Sequence, residues 1–341
     1  MQTQLKAVTP DSIAQAAALL KEGEVVAIPT ETVYGLAANA LSDEAVKKIF
    51  AAKGRPQDNP LISHISDLSM LPLIAGEVPE AALRLAEAFW PGPLTIILPR
   101  GGQVADSVCA GLDTASVRMP SHPDARAVIA ACGFPLAAPS ANLSGKPSPT
   151  TAQDVMADMD GRIPLILGGG ACEVGVESTV VSLAGDHPVL LRPGRVTKED
   201  LERVLGVPVE LSGAIVSRLK EGEVARSPGM KYKHYAPKAE VVIVKGTFDA
   251  YKAYVRAHAQ EGDFCLCYEG EQTQLAPVPC VAYGAEGDGV SQAHALFSAL
   301  RELDAEGARR AFARWENDAC GVELAVYNRL LRAAAFRVEE A

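Results

Sequence analysis

The sequence has few aromatic residues and a deficit of positive charge. Aromatic residues make up 5% of the 341 residues, and 32 lysines and arginines stand against 42 aspartates and glutamates, giving a net charge of −10 at pH 7. Nucleic-acid phosphates bind to basic surfaces, and this chain has a net negative charge. Binding of nucleic acid over a broad surface of the protein is therefore not expected. Any contact with a polyanion should depend on basic residues gathered in one place.

The sequence also lacks long apolar runs and a secretory signal. No apolar stretch approaches the roughly 18 residues that a membrane-spanning helix needs. The first six residues, M-Q-T-Q-L-K, do not begin a charged region followed by an apolar one. Apolar residues still make up 48% of the chain and charged residues 22%, which is typical of a folded protein. We therefore expect a cytoplasmic protein with no membrane contact.

Cysteines are present, but they do not form a framework. Their number is seven, which is odd, and their spacing is irregular, which argues against a disulfide scaffold. Cys265 and Cys267 are separated by one residue and have no histidine cluster beside them. Buried strand thiols are therefore favoured there over a zinc site. No paired metal-ligand motif is found elsewhere, and we expect no metal site made by side chains.

Predicted helices and strands alternate along the first 200 or so residues. Thr9-Pro10 and Gly23 mark the two ends of a first helix, and Ser42 and Gly54 those of a second. Short apolar runs predict strands at 24–29, 61–65, 94–98, 115–119, 135–139, 163–167, 178–183 and 189–192. This alternation predicts a mixed α/β sheet covered by helices.

The composition changes near residue 221. Residues 221–238 are basic, contain interleaved tyrosines and lysines and are interrupted by proline and glycine, which is typical of a linker but unusual for a mere spacer. Beyond them, apolar runs at 239–244 and 263–267 and helical patterns near 247–260, 290–304 and 322–334 predict a second α/β unit. The length fits two domains, and we divide the chain into 1–210, a linker at 211–238, and 239–341.

Two polar segments occur early in the chain. P-T-E-T-V-Y-G-L (29–36) follows a predicted strand, and its threonine hydroxyls and glycine suit a small polar ligand, although an ordinary strand-to-helix turn looks the same. K-G-R-P-Q-D-N-P-L (53–61) places Lys53 and Arg55 around a glycine at a predicted helix end. These cations either hold phosphate oxygens or complement the helix dipole.

His64 and Arg118 lie in predicted strands. A single strand histidine is usually structural, and His64 gains interest only from the cationic segment before it. A buried Arg118 needs a counter-ion, which either a protein carboxylate or a ligand carboxylate could supply. Nothing in the local sequence decides between the two.

Further polar clusters follow later strands. P-S-A-N-L-S-G-K-P-S-P (139–149) has the composition of a phosphate-binding loop without the P-loop spacing, so a surface turn is the alternative. G-G-G (168–170) favours a flexible connection, Glu177 could orient a cationic side chain, and Arg192 could face a phosphate. Without a Ser-His-Asp or H-E-x-x-H signature, the residues indicate a nucleotide- or phosphometabolite-binding α/β protein.

Seven segments, in this order, resemble the Sua5/YrdC/YciO family. They are P-T-E-T-V-Y-G-L, K-G-R-P-Q-D-N-P-L, W-P-G-P-L-T, S-V-R-M-P, A-P-S-A-N-L-S-G, V-E-S-T-V and L-R-P-G. The resemblance covers residues 5 to about 200, and S-P-G-M-K-Y-K-H-Y-A-P-K (227–238) is similar to the linker of the longer, two-domain Sua5 subtype. In the C-terminal part, W-E-N-D-A-C (315–320) departs from the pattern.

The resemblance implies a YrdC-like twisted mixed sheet with helices around an open cavity, followed by a smaller Rossmann-like α/β C-terminal domain. The implied threonine-binding residues are Thr32, His64, Arg118, Ala138 and Ser178. The implied ATP-binding residues are Arg55, Asn59, Thr114, Ser140, Ser148, Arg192 and Tyr235. Lys53 and Arg55 would be catalytic, near the phosphates, and Mg²⁺ would be brought with ATP.

Members of the family make threonylcarbamoyl-AMP from L-threonine, bicarbonate or carbon dioxide, and ATP, with release of pyrophosphate. This is the first step of N6-threonylcarbamoyladenosine formation at tRNA position 37. The resemblance implies a nucleotidyltransferase whose product passes to the tRNA threonylcarbamoyl transferase machinery, and it leaves direct tRNA binding open. The alternatives are an RNA-binding module, which the net charge opposes, and a regulatory nucleotide-binding relative of the same fold.

Overall fold

The computed structural model describes residues 2–217, 234–316 and 318–341. Within them the chain divides into two units, one of residues 2–144 and 148–215 and the other of residues 145–147, 216–217 and 234 onward. Most of the predicted linker, residues 218–233, lies outside the described residues. None of the helices in the described ranges has the length and apolar character needed to cross a membrane.

The first unit is built on one large sheet. Its strands are β1 (Gln4–Ala7), β2 (Val26–Ile28), β3 (Gly35–Asn39), β4 (Ile62–His64), β5 (Leu94–Pro99), β6 (Thr114–Arg118), β7 (Leu136–Ala137), β8 (Leu165–Gly168), β9 (Thr179–Ser182), β10 (Val189–Arg192) and β11 (Glu210–Leu211). They lie in the order β1-β8-β2-β3-β7-β4-β6-β5-β9-β10-β11. The sheet contains both parallel pairs, such as β4 with β6, and antiparallel pairs, such as β5 with β6. The predicted mixed α/β sheet is confirmed.

Helices connect many of these strands. They are α1 (Pro10–Lys21), α2 (Asp43–Lys53), α3 (Glu80–Phe89), α4 (Asp106–Cys109), α5 (Pro123–Cys132), α6 (Ala152–Met159) and α7 (Lys198–Leu205). Thr9 and Ser12 form a reciprocal capping box before α1, and the hydroxyl of Ser42 accepts a hydrogen bond from the backbone of α2. Gly54 ends α2 with φ of 61°, which glycine adopts without a Cβ penalty. These helix ends agree with the sequence prediction.

The segment 29–34 connects two strands rather than a strand and a helix. β2 pairs antiparallel with β3, so the strand-to-helix interpretation of this turn was wrong. The reason is that Gly35–Asn39 is itself an apolar, buried strand that packs beside β2 and β7. Gly35 is needed there, because a Cβ at this position would lie 3.2 Å from the Cβ of Ala138.

The second unit contains a separate five-stranded sheet. Its elements are β12 (Glu240–Lys245), α8 (Phe248–His258), β13 (Asp263–Cys267), α9 (Gln272–Leu275), β14 (Cys280–Ala282), α10 (Gly289–Ala305), β15 (Arg310–Trp315), α11 (Glu323–Ala333) and β16 (Val338–Glu340). The strand order is β14-β13-β15-β12-β16, and every pair is parallel. Alternating parallel strands and helices make this a Rossmann-like arrangement. The thiols of Cys265 and Cys267 are buried in β13, in agreement with the sequence interpretation.

The main apolar core of the first unit lies between α1, α5 and the sheet. Leu20 and Ile129 pack there against Val26, Ile28 and Leu165, all completely buried. Burial of such side chains provides most of the favourable free energy of folding. The sheet on which the polar segments are mounted is therefore fixed by an apolar core behind it.

We expect Leu20→Ala to lower the free energy of unfolding by about 2–5 kcal/mol, because it removes buried methyl groups and leaves a cavity. Urea denaturation followed by circular dichroism measures this loss. Leu83→Ala is the matched control, since Leu83 is 48% exposed. Equal losses in the two variants would contradict this position of the core.

Candidate active site

Several of the polar side chains lie in one row across neighbouring strands. His64 at the end of β4 is the register partner of Arg118 at the end of β6, and Arg118 is the partner of Thr95 in β5. The row continues through Val180 in β9 to Arg192 at the end of β10. Strand pairing thus brings together residues that are far apart in the sequence.

The guanidinium of Arg118 is surrounded by three partners. One terminal nitrogen lies 2.6 Å from a carboxylate oxygen of Glu31, and the other donates to the hydroxyl of Thr32 at 2.9 Å. Its Nε donates to the carbonyl of Gly92 at 3.3 Å. Arg118 is 3% exposed and Glu31 is 4% exposed, so this ion pair is screened from water. The counter-ion that the sequence left undecided is, in this structure, a protein carboxylate.

The ion pair keeps Glu31 charged. Burial alone would raise the pKa of its carboxyl group, but the charge and hydrogen bonding of Arg118 outweigh burial and lower that pKa below its ordinary value. Removing either partner would leave an uncompensated buried charge, which is costly. Glu31 and Arg118 therefore act as one unit.

His64 is a neutral hydrogen-bonding group. Burial, together with the positive charge of Arg118, lowers the pKa of His64 from 6.5 to about 3. Its Nδ1 lies 3.1 Å from the carbonyl of Ile62, which can only accept, so Nδ1 carries the proton. The remaining ring nitrogen, Nε2, is then an acceptor for a ligand hydroxyl or amine.

Ser178 connects two strands of the row. Its hydroxyl lies 2.8 Å from that of Thr95 and accepts from a terminal nitrogen of Arg192 at 3.1 Å. Nε of Arg192 also donates to the carbonyl of Ser178 at 3.0 Å. One residue earlier, Glu177 accepts a hydrogen bond of 2.5 Å from the hydroxyl of Ser148. The V-E-S-T-V segment therefore contains Ser178 of the implied threonine set and contacts Ser148 and Arg192 of the implied ATP set.

The side chain of Lys53 points toward the backbone of the loop at 139–149. Its ammonium group donates to the carbonyl oxygens of Ser140 and Asn142, the latter at 2.7 Å. The side chain is buried, and burial, reinforced by the charge of Arg55, lowers the pKa of Lys53 well below its ordinary value. Lys53 is thus a structural tether of this loop.

Arg55 and Asn59 lie together at the start of β4. A terminal nitrogen of Arg55 donates to the backbone carbonyls of Asn59 at 3.3 Å and Pro60 at 3.4 Å. The side chain of Asn59 is completely buried, yet neither its amide oxygen nor its nitrogen has a hydrogen-bond partner among the described residues. An unsatisfied buried amide is unfavourable, so a ligand is a natural partner for it.

Backbone hydrogen bonds join the first polar segment to the loop at 139–149. The amide of Tyr34 donates to the carbonyl of Pro149 at 2.9 Å, and that of Ala141 donates to the carbonyl of Tyr34 at 2.8 Å. Ala138 is buried where this loop leaves β7, and its amide donates to Ile62. Tyr34 also contacts the glycine-rich segment that was predicted to be a flexible connection, because its hydroxyl donates to Gly170 and accepts from Gly169.

Thr114 and Tyr235 complete the set of implied ATP-binding residues. Thr114 begins β6 and Arg118 ends it, about 13 Å apart at the usual rise of a strand. Because β6 runs parallel to β4, Thr114 lies toward the end where Asn59 precedes β4. Tyr235 belongs to the second unit, where its ring is 5.2 Å from that of Phe297.

Comparison with known proteins places this arrangement in a family. A family model for Sua5, YciO and YrdC, described as telomere recombination, matches residues 18–194. A second model, described as the C-terminal domain of threonylcarbamoyl-AMP synthase, matches residues 196–335. The chain belongs to the Sua5 family.

Relatives of this Sua5 chain match over almost their full length. It is 48% identical to threonylcarbamoyl-AMP synthase of Bacillus subtilis over 96% of this chain and 94% of that protein. It is 45% identical to threonylcarbamoyl-AMP synthase of Pyrococcus abyssi, over 95% of this chain and 94% of that protein. The crystal structure of P. abyssi Sua5 complexed with L-threonine has a TM-score of 0.89 at 41% identity, covering 100% of this chain and 99% of that one. The YrdC-like fold implied by the motifs is confirmed.

Sequence reasoning missed the role of two residues in this Sua5 chain. Glu31 was part of a noted motif, but its partner Arg118 follows only from the folding of the sheet. Thr95 resembles any buried strand threonine, although its hydroxyl contacts that of Ser178. The available signal for Glu31 was an acidic residue directly after a buried apolar strand, since a carboxylate that becomes buried requires a positive partner.

We expect Glu31→Gln to lower the free energy of unfolding by about 3–5 kcal/mol, because it leaves the buried guanidinium of Arg118 without a counter-charge. The double variant Glu31→Gln/Arg118→Met should be more stable than this single variant, because no unpaired charge remains. Urea denaturation of the two singles and the double measures the coupling. Strictly additive losses would contradict an energetically coupled pair.

The buried, neutral ring of His64 makes the stability of the protein depend on pH. The folded state keeps this ring neutral down to about pH 3, whereas the unfolded chain takes up the proton near pH 6.5. Stability contributed by the neutral ring is therefore fully present above pH 6.5 and is lost as the pH falls through this window. Denaturation from pH 7.5 to 4.5 should show a shallower decline for His64→Gln than for the unchanged protein. Parallel declines would show that His64 does not contribute.

Proposed function

We propose that the chain is a threonylcarbamoyl-AMP synthase. It joins L-threonine, bicarbonate or carbon dioxide, and ATP into L-threonylcarbamoyladenylate and releases pyrophosphate. This product is the first intermediate of N6-threonylcarbamoyladenosine formation in tRNA. Support comes from the synthases of B. subtilis and P. abyssi, which match nearly the whole chain.

The observation that supports the threonine subsite best is the environment of Arg118. One terminal nitrogen of its guanidinium donates to the hydroxyl of Thr32, and the other lies 2.6 Å from a carboxylate oxygen of Glu31. Each terminal nitrogen carries two N–H groups, so both can contribute an N–H to a ligand carboxylate, which a guanidinium binds in two-point fashion. Beside it, the acceptor Nε2 of His64 suits the hydroxyl or amine of an amino acid. Thr32, His64, Arg118, Ala138 and Ser178 are the proposed threonine-binding residues.

The proposed ATP subsite combines buried cations with unsatisfied polar groups. Its residues are Arg55, Asn59, Thr114, Ser140, Ser148, Arg192 and Tyr235, with Lys53 and Arg55 as the catalytic cations. The buried amide of Asn59, which lacks a partner among the described residues, supports this placement. Mg²⁺ would enter bound to ATP and reduce the negative charge of its phosphates.

The mechanism follows from charge. The neutral amine of threonine adds to carbon dioxide, a C–N bond forms, and a proton passes to solvent. The resulting N-carboxylate is already an anionic nucleophile and needs no general base for the next step. It attacks the α-phosphorus of ATP and displaces pyrophosphate. Two anions approach in this step, and fixed positive groups such as Lys53 and Arg55 stabilise the transition state without reorganising. Arg118 holds the amino acid in place during the attack.

The reactivity of the product indicates what kind of partner must receive it. A mixed anhydride with AMP hydrolyses in water, so it has to pass to an acceptor soon after it forms. We propose that the acceptor machinery is the tRNA threonylcarbamoyl transferase. A regulatory relative that binds the nucleotide without turnover is the competing function, and pyrophosphate release separates the two.

We expect pyrophosphate release from Mg-ATP to require both threonine and bicarbonate. Arg118→Lys keeps a positive charge but loses the planar two-point geometry, so kcat/KM for threonine should fall about 100-fold, which corresponds to about 2.7 kcal/mol. A coupled pyrophosphatase assay, with each substrate omitted in turn, measures this. The surface variant Arg203→Lys is the matched control, because this side chain lies on an exposed helix face.

The outcomes separate the possible functions. Release without threonine would indicate a plain ATP pyrophosphohydrolase. ATP binding with no pyrophosphate release, under freshly prepared and bicarbonate-saturated conditions, would replace the synthase by the regulatory relative. An Arg118→Lys enzyme with unchanged kcat/KM would remove Arg118 from the threonine subsite.

A further inference from the structure

Three cysteines of the second unit lie on one face of its sheet. Cys265 and Cys267 are alternate residues of β13, so their side chains point to the same side. Cys280 begins β14 and is the direct register partner of Cys265. The sequence alone gives no reason to connect Cys280 with the other two cysteines, because a helix and a proline-containing turn separate Cys280 from them along the chain.

The register places two of these thiols within reach of a disulfide. Neighbouring strands lie about 4.8 Å apart, and disulfides join residues whose Cα atoms are about 4.4–6.8 Å apart. Cys280 and Cys265 are opposite each other on adjacent parallel strands and so fall in this range. Cys267 lies opposite Ala282, two residues further along the strands, and is therefore the diagonal neighbour of Cys280.

The three thiols differ in access to solvent. Cys265 and Cys267 are completely buried in an apolar cluster with Tyr251, Leu275 and Phe312. Cys280 packs at the border of this cluster and is half-buried, because β14 is the outer strand of the sheet. A water-soluble reagent therefore reaches Cys280 first.

The surroundings of the three sulfurs are consistent with the same order of reactivity. The thiol of Cys280 donates to the carbonyl oxygen of Val278 at 3.2 Å. The nearby sulfur of Cys280, together with burial, raises the pKa values of Cys265 and Cys267. Because the thiolate is the nucleophile, the thiol that solvent reaches, Cys280, is expected to react first. Cys109, Cys132 and Cys172, by contrast, are buried in the first unit and their pKa values are raised by burial.

We propose that Cys280 is an oxidation site that forms a disulfide with Cys265 when it meets a peroxide. In the first step the Cys280 thiolate attacks a peroxide oxygen, the O–O bond breaks, and a sulfenic acid and hydroxide form. In the second step the Cys265 sulfur attacks the sulfenic sulfur, an S–S bond forms, and water leaves with the thiol proton. The peroxide gains the two electrons that the two thiols lose.

The test uses the full chain. The protein is first reduced and separated from the reductant, then exposed to hydrogen peroxide, and its remaining thiols are finally alkylated. Trypsin cannot separate the thiols, because no lysine or arginine lies between Arg256 and Arg301. Cleavage after glutamate does separate them, since Glu269 and Glu271 lie between Cys267 and Cys280. Mass spectrometry without reduction should find the two fragments joined, with loss of two hydrogen atoms. The joined product should disappear on reduction.

Variants assign the partners. Cys280→Ser should abolish the joined fragments, Cys265→Ser should reduce them at least tenfold, and Cys267→Ser should leave them. The exposed Cys320 serves as the internal control for peroxide exposure. Cys280→Ser should keep the circular dichroism spectrum and the urea midpoint of the unchanged protein, which shows, independently of the proposed function, that the variant is folded.

Two results would overturn the proposal. One is oxidation of Cys320 while Cys280 remains fully open to alkylation and unjoined. The other is an unchanged yield of joined fragments in Cys265→Ser, which would place the bond on Cys267 instead.

Discussion

The ion pair between Glu31 and Arg118 is the contact on which the geometry of the site depends. It joins the loop after β2 to the end of β6, two parts of the sheet that are separated by three other strands. Burying two charges is unfavourable unless each has a partner and further hydrogen bonds. Thr32 and Gly92 supply those bonds to the guanidinium. Burial and, after it, the positive charge of Arg118 lower the pKa of His64, so Arg118 contributes both to the shape of the site and to the neutral state of this ring.

Much of the fold could be predicted because its signals are local. Thr9, Ser42 and Gly54 mark helix ends through hydrogen bonds and backbone angles within a few residues, and the structure has those ends. Short apolar runs likewise predicted most strands of the first sheet. The prediction failed at Gly35–Asn39, where a small, Ala-rich strand resembles the start of a helix. Composition alone does not separate the two, and only pairing with β2 and β7 decides.

The site was predictable in type but not in arrangement. Motifs indicated which side chains have useful chemistry, since hydroxyls, amides and cations at strand ends suit an anionic ligand. The partners of those side chains come from strand order, which places β4 beside β6 although β5 lies between them in the chain. The pairing of Glu31 with Arg118 and the row from His64 to Arg192 are consequences of that order. A single sequence contains no direct record of it.

Lys53 shows how a buried cation can have two roles. Its ammonium group is held by the carbonyls of Ser140 and Asn142, so the charge has a fixed position before any ligand arrives. A flexible surface lysine would have to lose side-chain freedom and water at the moment of binding, which costs free energy. Here folding has already met those costs, and the apolar core behind the sheet supplies the stability to offset them. In the proposed reaction, therefore, the same hydrogen bonds that tether the loop also hold a positive charge ready for the phosphates.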